Sequence, residues 1–94
     1  MARAVFHGTV IAESDDVVEL EGNLYFPMSS LNRDAIEPSD VTSTCPYKGE
    51  AKYYDVVVGD ERAEYAVWYY PEPKDGVSQI RDRAAFWRGV EVEH

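Results

Sequence analysis

The feature that most constrains this chain is a pair of aromatic, β-branched runs, Lys52–Val58 and Tyr65–Tyr70, separated by V-G-D-E-R-A-E. Val, Tyr and Trp suit a pleated, half-buried surface, and Gly59–Asp60 supplies a turn, so the two runs predict an antiparallel hairpin with a longer loop. Side chains alternate along a strand. Lys52, Tyr54, Val56 and Val58 therefore share one face, and Ala51, Tyr53, Asp55 and Val57 the other. In the second run Ala66, Trp68 and Tyr70 oppose Tyr65, Val67 and Tyr69. Large side chains on both faces require a sheet covered on both sides, or one whose second face lines a pocket or an interface.

The remaining segments extend this β pattern. Ala4–Ala12, interrupted at Gly8, predicts two short strands or one strand bent at a glycine bulge. Val17–Leu20 and Leu24–Phe26 flank the turn Glu21–Asn23 and form a second hairpin. Ser29 or Ser30 can cap one short helix or 3₁₀ turn that ends before Pro38. Val77, Ile80 and Ala84 suggest a second short helix or an irregular crossing. Ala85–Trp87 and Val90–Val92 read as final strand pieces broken at Gly89. At 94 residues the chain is expected to form one small, compact, mainly β antiparallel domain.

Charge narrows the partners. Nine basic against 18 acidic residues give a net charge of −9, which repels a phosphate backbone, so nucleic acid is not expected. Arg81, Arg83 and Arg88 are the only basic concentration, enough for one anionic ligand. No window carries the ~18 apolar residues of a membrane span. With no signal-like N-terminus either, the expected location is cytoplasmic. One cysteine and two histidines exclude an internal disulfide and a Cys/His zinc cage, and no metal or other cofactor is expected.

Chemistry concentrates in Thr42–Tyr54, T-S-T-C-P-Y-K-G-E-A-K-Y-Y. Pro46 forces extended backbone at Cys45, and Gly49 marks a turn or close approach before a strand. Cys45 and Lys48 are thereby presented at a strand entrance. A lysine three residues from a thiol can lower its pKa, which would suit a nucleophile. The same thiol can be a ligand contact or a small apolar filler, and no histidine lies nearby as base. The rings of Tyr47, Tyr53, Tyr54, Tyr65, Trp68, Tyr69 and Tyr70 suit either a half-wet pocket or a packed core. Glu19/Glu21 and Glu91/Glu93, spaced i, i+2, read as solvated strand faces. Phosphate-cradling G-x-x-x-x-G-K-[ST], G-x-G-x-x-G, G-x-S-x-G and H-E-x-x-H are all absent.

In order, V-I-A-E-S (10–14), Y-F-P (25–27), C-P-Y-K-G-E-A-K-Y-Y (45–54), A-V-W-Y-Y-P-E-P (66–73) and A-F-W (85–87) resemble the domain-of-unknown-function 427 family across essentially the whole chain. The resemblance implies a compact, mainly β fold of the tent-like kind, in a family that is mostly bacterial and archaeal. The family is also filed under a nucleotidyltransferase heading. That chemistry needs a Gly-Ser pair and an Asp-x-Asp clamp, and the chain has neither. Two functional expectations follow. One is a pocket for a small anionic or planar ligand built from Cys45, Lys48, Tyr54, Trp68 and Tyr70, with Arg81 at its rim. The other is an interaction module, including a homodimer, formed through an exposed aromatic face.

Overall fold

The computed structural model describes residues 1–94. Nine strands, all paired antiparallel, form two sheets. β1 (Ala2–Phe6) and β2 (Thr9–Ser14) meet at His7–Gly8, both at positive φ (47° and 77°). The glycine of Ala4–Ala12 is thus the second residue of a two-residue turn rather than a bulge, as the twist of a tight hairpin favours. β9 (Glu91–Glu93) flanks β1 on its other side and completes a three-stranded sheet.

The larger sheet has six strands in the order β3-β4-β8-β7-β6-β5. β3 (Val18–Leu20) and β4 (Asn23–Pro27) turn at Glu21–Gly22, again with both φ values positive (54° and 82°). Short 3₁₀ turns follow at Met28–Ser30 and Arg33–Ala35, the second capped by the Asn32 side chain, which accepts from the Asp34 N–H. β5 (Ile36–Cys45) and β6 (Gly49–Val58) then form the longest hairpin. β7 (Glu61–Tyr69) returns from β6 through Gly59–Asp60 alone, with Val58 paired to Glu61. The longer loop expected here is therefore a two-residue turn, and the missing length reappears inside β7. Between the Tyr54–Val67 and Val56–Ala63 pairs, Glu64–Ala66 bulge against Asp55. Tyr65 takes φ 40°, and its N–H donates to Asp55 Oδ1 at 2.8 Å. A third 3₁₀ segment, Asp75–Ile80, leads to β8 (Arg83–Phe86).

β5 was not expected as a strand. Its sequence, I-E-P-S-D-V-T-S-T-C, contains proline and little apolar pattern, and it sits at the sheet edge with almost every residue exposed or half-buried. Proline is tolerated at an edge because its missing N–H is not needed there, and pairing with β6 slips between Pro38 and Thr42.

Alternation divides the six-stranded sheet into two faces. The inner face packs against the three-stranded sheet in one core of 16 buried residues, among them Phe6, Ile11, Phe26, Val56, Val67 and Phe86. The outer face carries a smaller buried group: Tyr25, Ala51, Tyr70, Ile80 and Ala85. Neighbours on one strand separate accordingly, Phe26 inward and Tyr25 outward, Tyr54 inward and Tyr53 outward, Val67 inward and Trp68 outward. Only the 3₁₀ segment, through Val77 and Ile80, covers the outer face. No helix is long and apolar enough to cross a membrane.

Candidate functional site

The partial cover of the outer face leaves a cavity of about 200 Å³ lined by Glu21, Asn23, Tyr25, Lys48, Tyr53, Trp68, Tyr70 and Trp87. Its rings form a continuous array. Tyr25 and Trp68 meet edge to face at 6.2 Å, Trp68 and Trp87 at 5.8 Å, and Tyr65 links Trp87 (6.4 Å) to Tyr53 (6.3 Å). Edge-to-face contacts hold each ring in a defined orientation. Most polar tips are committed: Trp68 Nε1–H donates to the Tyr25 hydroxyl (3.1 Å) and Trp87 Nε1–H to the Tyr65 carbonyl (2.6 Å), while the Tyr53 hydroxyl bonds Ser43 Oγ (2.8 Å). The Arg88 guanidinium lies 4.1 Å above the Tyr65 ring and braces the array from behind.

The polar end is built by the β5–β6 turn. Cys45 pairs with Gly49, so Pro46, Tyr47 and Lys48 form a three-residue loop. Gly49 has φ 112°, and a Cβ there would stand 3.1 Å from the Glu72 carbonyl oxygen. Glycine is required twice over, for the dihedral and for the close approach of Pro71–Lys74. That approach is fixed by the Lys74 N–H donating to the Lys48 carbonyl (3.0 Å) and Lys74 Nζ donating to the Pro46 carbonyl (2.8 Å). Lys48 is consequently directed inward, with its side chain only 13% exposed, and pairs with Glu21 across the cavity mouth.

Electrostatics follow from this placement. The hydrogen bond to Glu21, opposed by burial, raises the Lys48 pKa, so the ammonium stays charged. Half-buried Cys45 has its Sγ 4.0 Å from Lys48 Nζ. The Tyr47 backbone N–H, assisted by the Lys48 N–H and ammonium, draws the thiol pKa down. Burial pushes Tyr70 up to about 12 and raises Tyr25, so both phenols remain neutral donors around neutrality.

The structure brings together four of the six residues expected to form a site: Lys48, Trp68 and Tyr70 in the cavity wall, with Cys45 against Lys48. Two lie elsewhere. Tyr54 points to the inner face, where its ring stacks on Tyr69 at 5.1 Å and its hydroxyl accepts from Arg33 Nη1 (3.3 Å). Strand alternation put Tyr53 and Tyr54 on opposite faces, so a site sharing the Trp68 face could hold only Tyr53. Arg81 is exposed, just after the 3₁₀ segment, and is not part of the rim, which Glu21, Asn23 and Trp87 supply instead. Nor do the neighbouring arginines converge with it, since Arg83 binds Asp16 and Arg88 binds the Glu64 carbonyl. Sequence reading missed Tyr25, Glu21, Asn23 and Trp87 as lining residues. They come from β4, its turn and the segment after β8, and only the β4–β8 and β7–β8 pairings bring them beside the hairpin.

No curated protein matches the chain. The family model described as "Domain of unknown function (DUF427)" matches residues 1–94, and the chain therefore belongs to that family.

Proposed function

We propose that this domain binds a small planar ligand in the outer-face cavity, with a polar or anionic edge of the ligand directed at Lys48. The observation that carries the reading is an open, ring-lined cavity beside an inward-facing lysine. A purely structural set of rings would close on itself, as the inner face does. At about 200 Å³ the cavity lies below the ~300–1,000 Å³ of drug-sized sites, which favours a single ring with small substituents. The adjacent thiol, with its depressed pKa, adds a soft nucleophile near the bound group but no accompanying base, so binding is the activity we assign.

The chain contains two tryptophans, Trp68 and Trp87, and both line the cavity. Tryptophan emission, excited selectively over the seven tyrosines, therefore reports on this site. Titration with a panel of one-ring compounds should give a saturable change for some of them, abolished by Trp68→Ala in a variant that retains its far-ultraviolet circular dichroism. A panel-wide absence of saturable change, with no ligand raising the melting temperature, would count against the reading.

A second reading, an interaction module, is favoured by Tyr47, 81% exposed at the tip of the β5–β6 turn, and by Trp87, 45% exposed at the rim. The other outer-face rings are half-buried or buried, which leaves this surface small for self-association. A concentration-dependent shift in sedimentation, removed by Tyr47→Ser, would favour this reading over ligand binding.

A further inference from the structure

Resting on the binding reading above, we infer that Lys48 and Tyr70 form a carboxylate subsite, that the ligand is an aromatic monocarboxylate, and that Glu21 is a built-in competitor for Lys48. Tyr70 points to this subsite. It is only 9% exposed, it lines the cavity, and its hydroxyl makes no hydrogen bond within the chain while staying accessible to solvent. Tyr25, buried beside it, has its oxygen engaged by the Trp68 indole. No buried side-chain polar atom of the chain lacks a partner, so this hydroxyl is reached by solvent, and with the rest of Tyr70 enclosed its open side is the cavity. As an un-ionised phenol, it offers a donor.

Lys48 supplies the second donor. Its side chain lines the same cavity, and its present partner Glu21 sits at a hairpin tip with a 62% exposed side chain. Glu21 can swing into solvent at little cost, whereas Lys48 is held inward by the pinned turn. The site therefore carries a surrogate of its own ligand, a carboxylate on the ammonium. An incoming carboxylate would place one oxygen on Nζ and the other on the Tyr70 hydroxyl, with its ring against Tyr53, Trp68 and Trp87. Two convergent donors and flat walls match a planar carboxylate attached to a ring.

The test is calorimetric titration of benzoate, benzamide and inorganic phosphate into the wild-type chain and three variants, each first checked for an unchanged melting profile. Benzoate should bind and benzamide should bind at least ~10-fold more weakly, the scale of a charge-assisted hydrogen bond. Tyr70→Phe should weaken benzoate by about 3–10-fold, and Lys48→Met by about 10–100-fold. Glu21→Gln should tighten it by roughly 3–10-fold, because the competitor is removed. A merely structural Glu21 would not produce that gain. Equal binding of benzoate and benzamide would overturn the subsite while leaving the aromatic cavity standing, as would a Glu21→Gln variant with unchanged or weaker affinity. Displacement of benzoate by equimolar phosphate would overturn the carboxylate assignment. If no ring compound binds, both this inference and the binding reading fall. Should Tyr70→Phe fail to fold, Glu21→Gln on the rim still decides the matter.

Discussion

The two faces of the six-stranded sheet are made by the same strands, yet one is closed and the other open. On the inner face a second sheet covers Phe26, Val56, Val67 and Phe86, and Phe6 with mostly small and aliphatic residues fills the gaps. On the outer face a single 3₁₀ segment covers Tyr25, Ala51, Tyr70 and Ala85, and the remaining space stays open as a cavity. The chemistry of the residues follows the cover. The inner face is dry and mostly aliphatic, with Tyr54 and Tyr69 at its margin. The outer face uses rings that carry a polar tip: those of Tyr25, Tyr53, Trp68 and Trp87 are hydrogen-bonded, while the hydroxyls of Tyr65 and Tyr70 have no partner in the chain. Stability therefore belongs mainly to the first face, and the binding we propose is assigned to the second.

The sharpest break of that comparison comes from neighbours on β4. Phe26→Ala, at a fully buried inner-face position, should destabilise the domain by about 3–5 kcal/mol in chemical denaturation. Tyr25→Phe, one residue away on the other face, should cost only about 0.5–1.5 kcal/mol, since it removes one hydrogen bond and leaves an indole N–H able to reach solvent. Equal losses at the two sites would erase the distinction between the faces.

Next in size is the pinned turn that aims Lys48. Gly49→Ala should cost about 1–3 kcal/mol, from a positive φ and a clash with the Glu72 carbonyl, and should loosen the cavity mouth. Thermal melting measures the first effect, and faster hydrogen exchange at the Lys74 amide the second. A neutral substitution would mean that the turn does not depend on this approach.

Alkaline pH probes the outer face through Tyr70, alongside the raised phenols of Tyr25 and of inner-face Tyr69. In the folded state Tyr70 ionises only near pH 12, whereas an unfolded tyrosine does so near its ordinary value of 10.0. Between these values the unfolded chain releases a proton that the native chain retains, so stability is full below pH 10 and falls as pH rises towards 12. The slope approaches ~1.4 kcal/mol per pH unit for each such group. Tyr70→Phe should remove about one proton's worth of that slope; an unchanged slope would contradict the burial of the Tyr70 side chain.

The smallest effect concerns the thiol. Because the Cys45 pKa is lowered, chiefly by the Tyr47 N–H, alkylation should reach its half-maximal rate at lower pH than that of a free cysteine. Lys48→Met should move the profile back upward. Labelling that occurs only on unfolding would assign Cys45 to packing alone.

Much of this arrangement was legible in the sequence. Alternation along Lys52–Val58 and Val67–Tyr70 marked a sheet with large side chains on both faces, and Cys45–Gly49 marked the turn that places Lys48. The bulge at Glu64–Ala66 reversed the expected faces of its neighbours, sending Ala66 into the inner core and Tyr65 to the outer array. Two things were not legible. The edge strand β5 lacks the apolar pattern that reveals strands, because an edge exposed on nearly every residue has no face to bury. The wall contributed by Glu21, Asn23, Tyr25 and Trp87 depends on β8 inserting between β4 and β7, a long-range pairing that no local spacing records. Tyr54 was misplaced for a simpler reason, since adjacent strand residues cannot share a face.

The claim that recognition lives on the outer face is tested most directly by heteronuclear NMR of the chain titrated with benzoate. The two indole N–H signals and the amides of Tyr25, Lys48 and Tyr70 should shift and saturate together, while those of Phe26, Val56 and Val67 stay in place. Shifts spread over both faces, or indole signals that do not move, would contradict it.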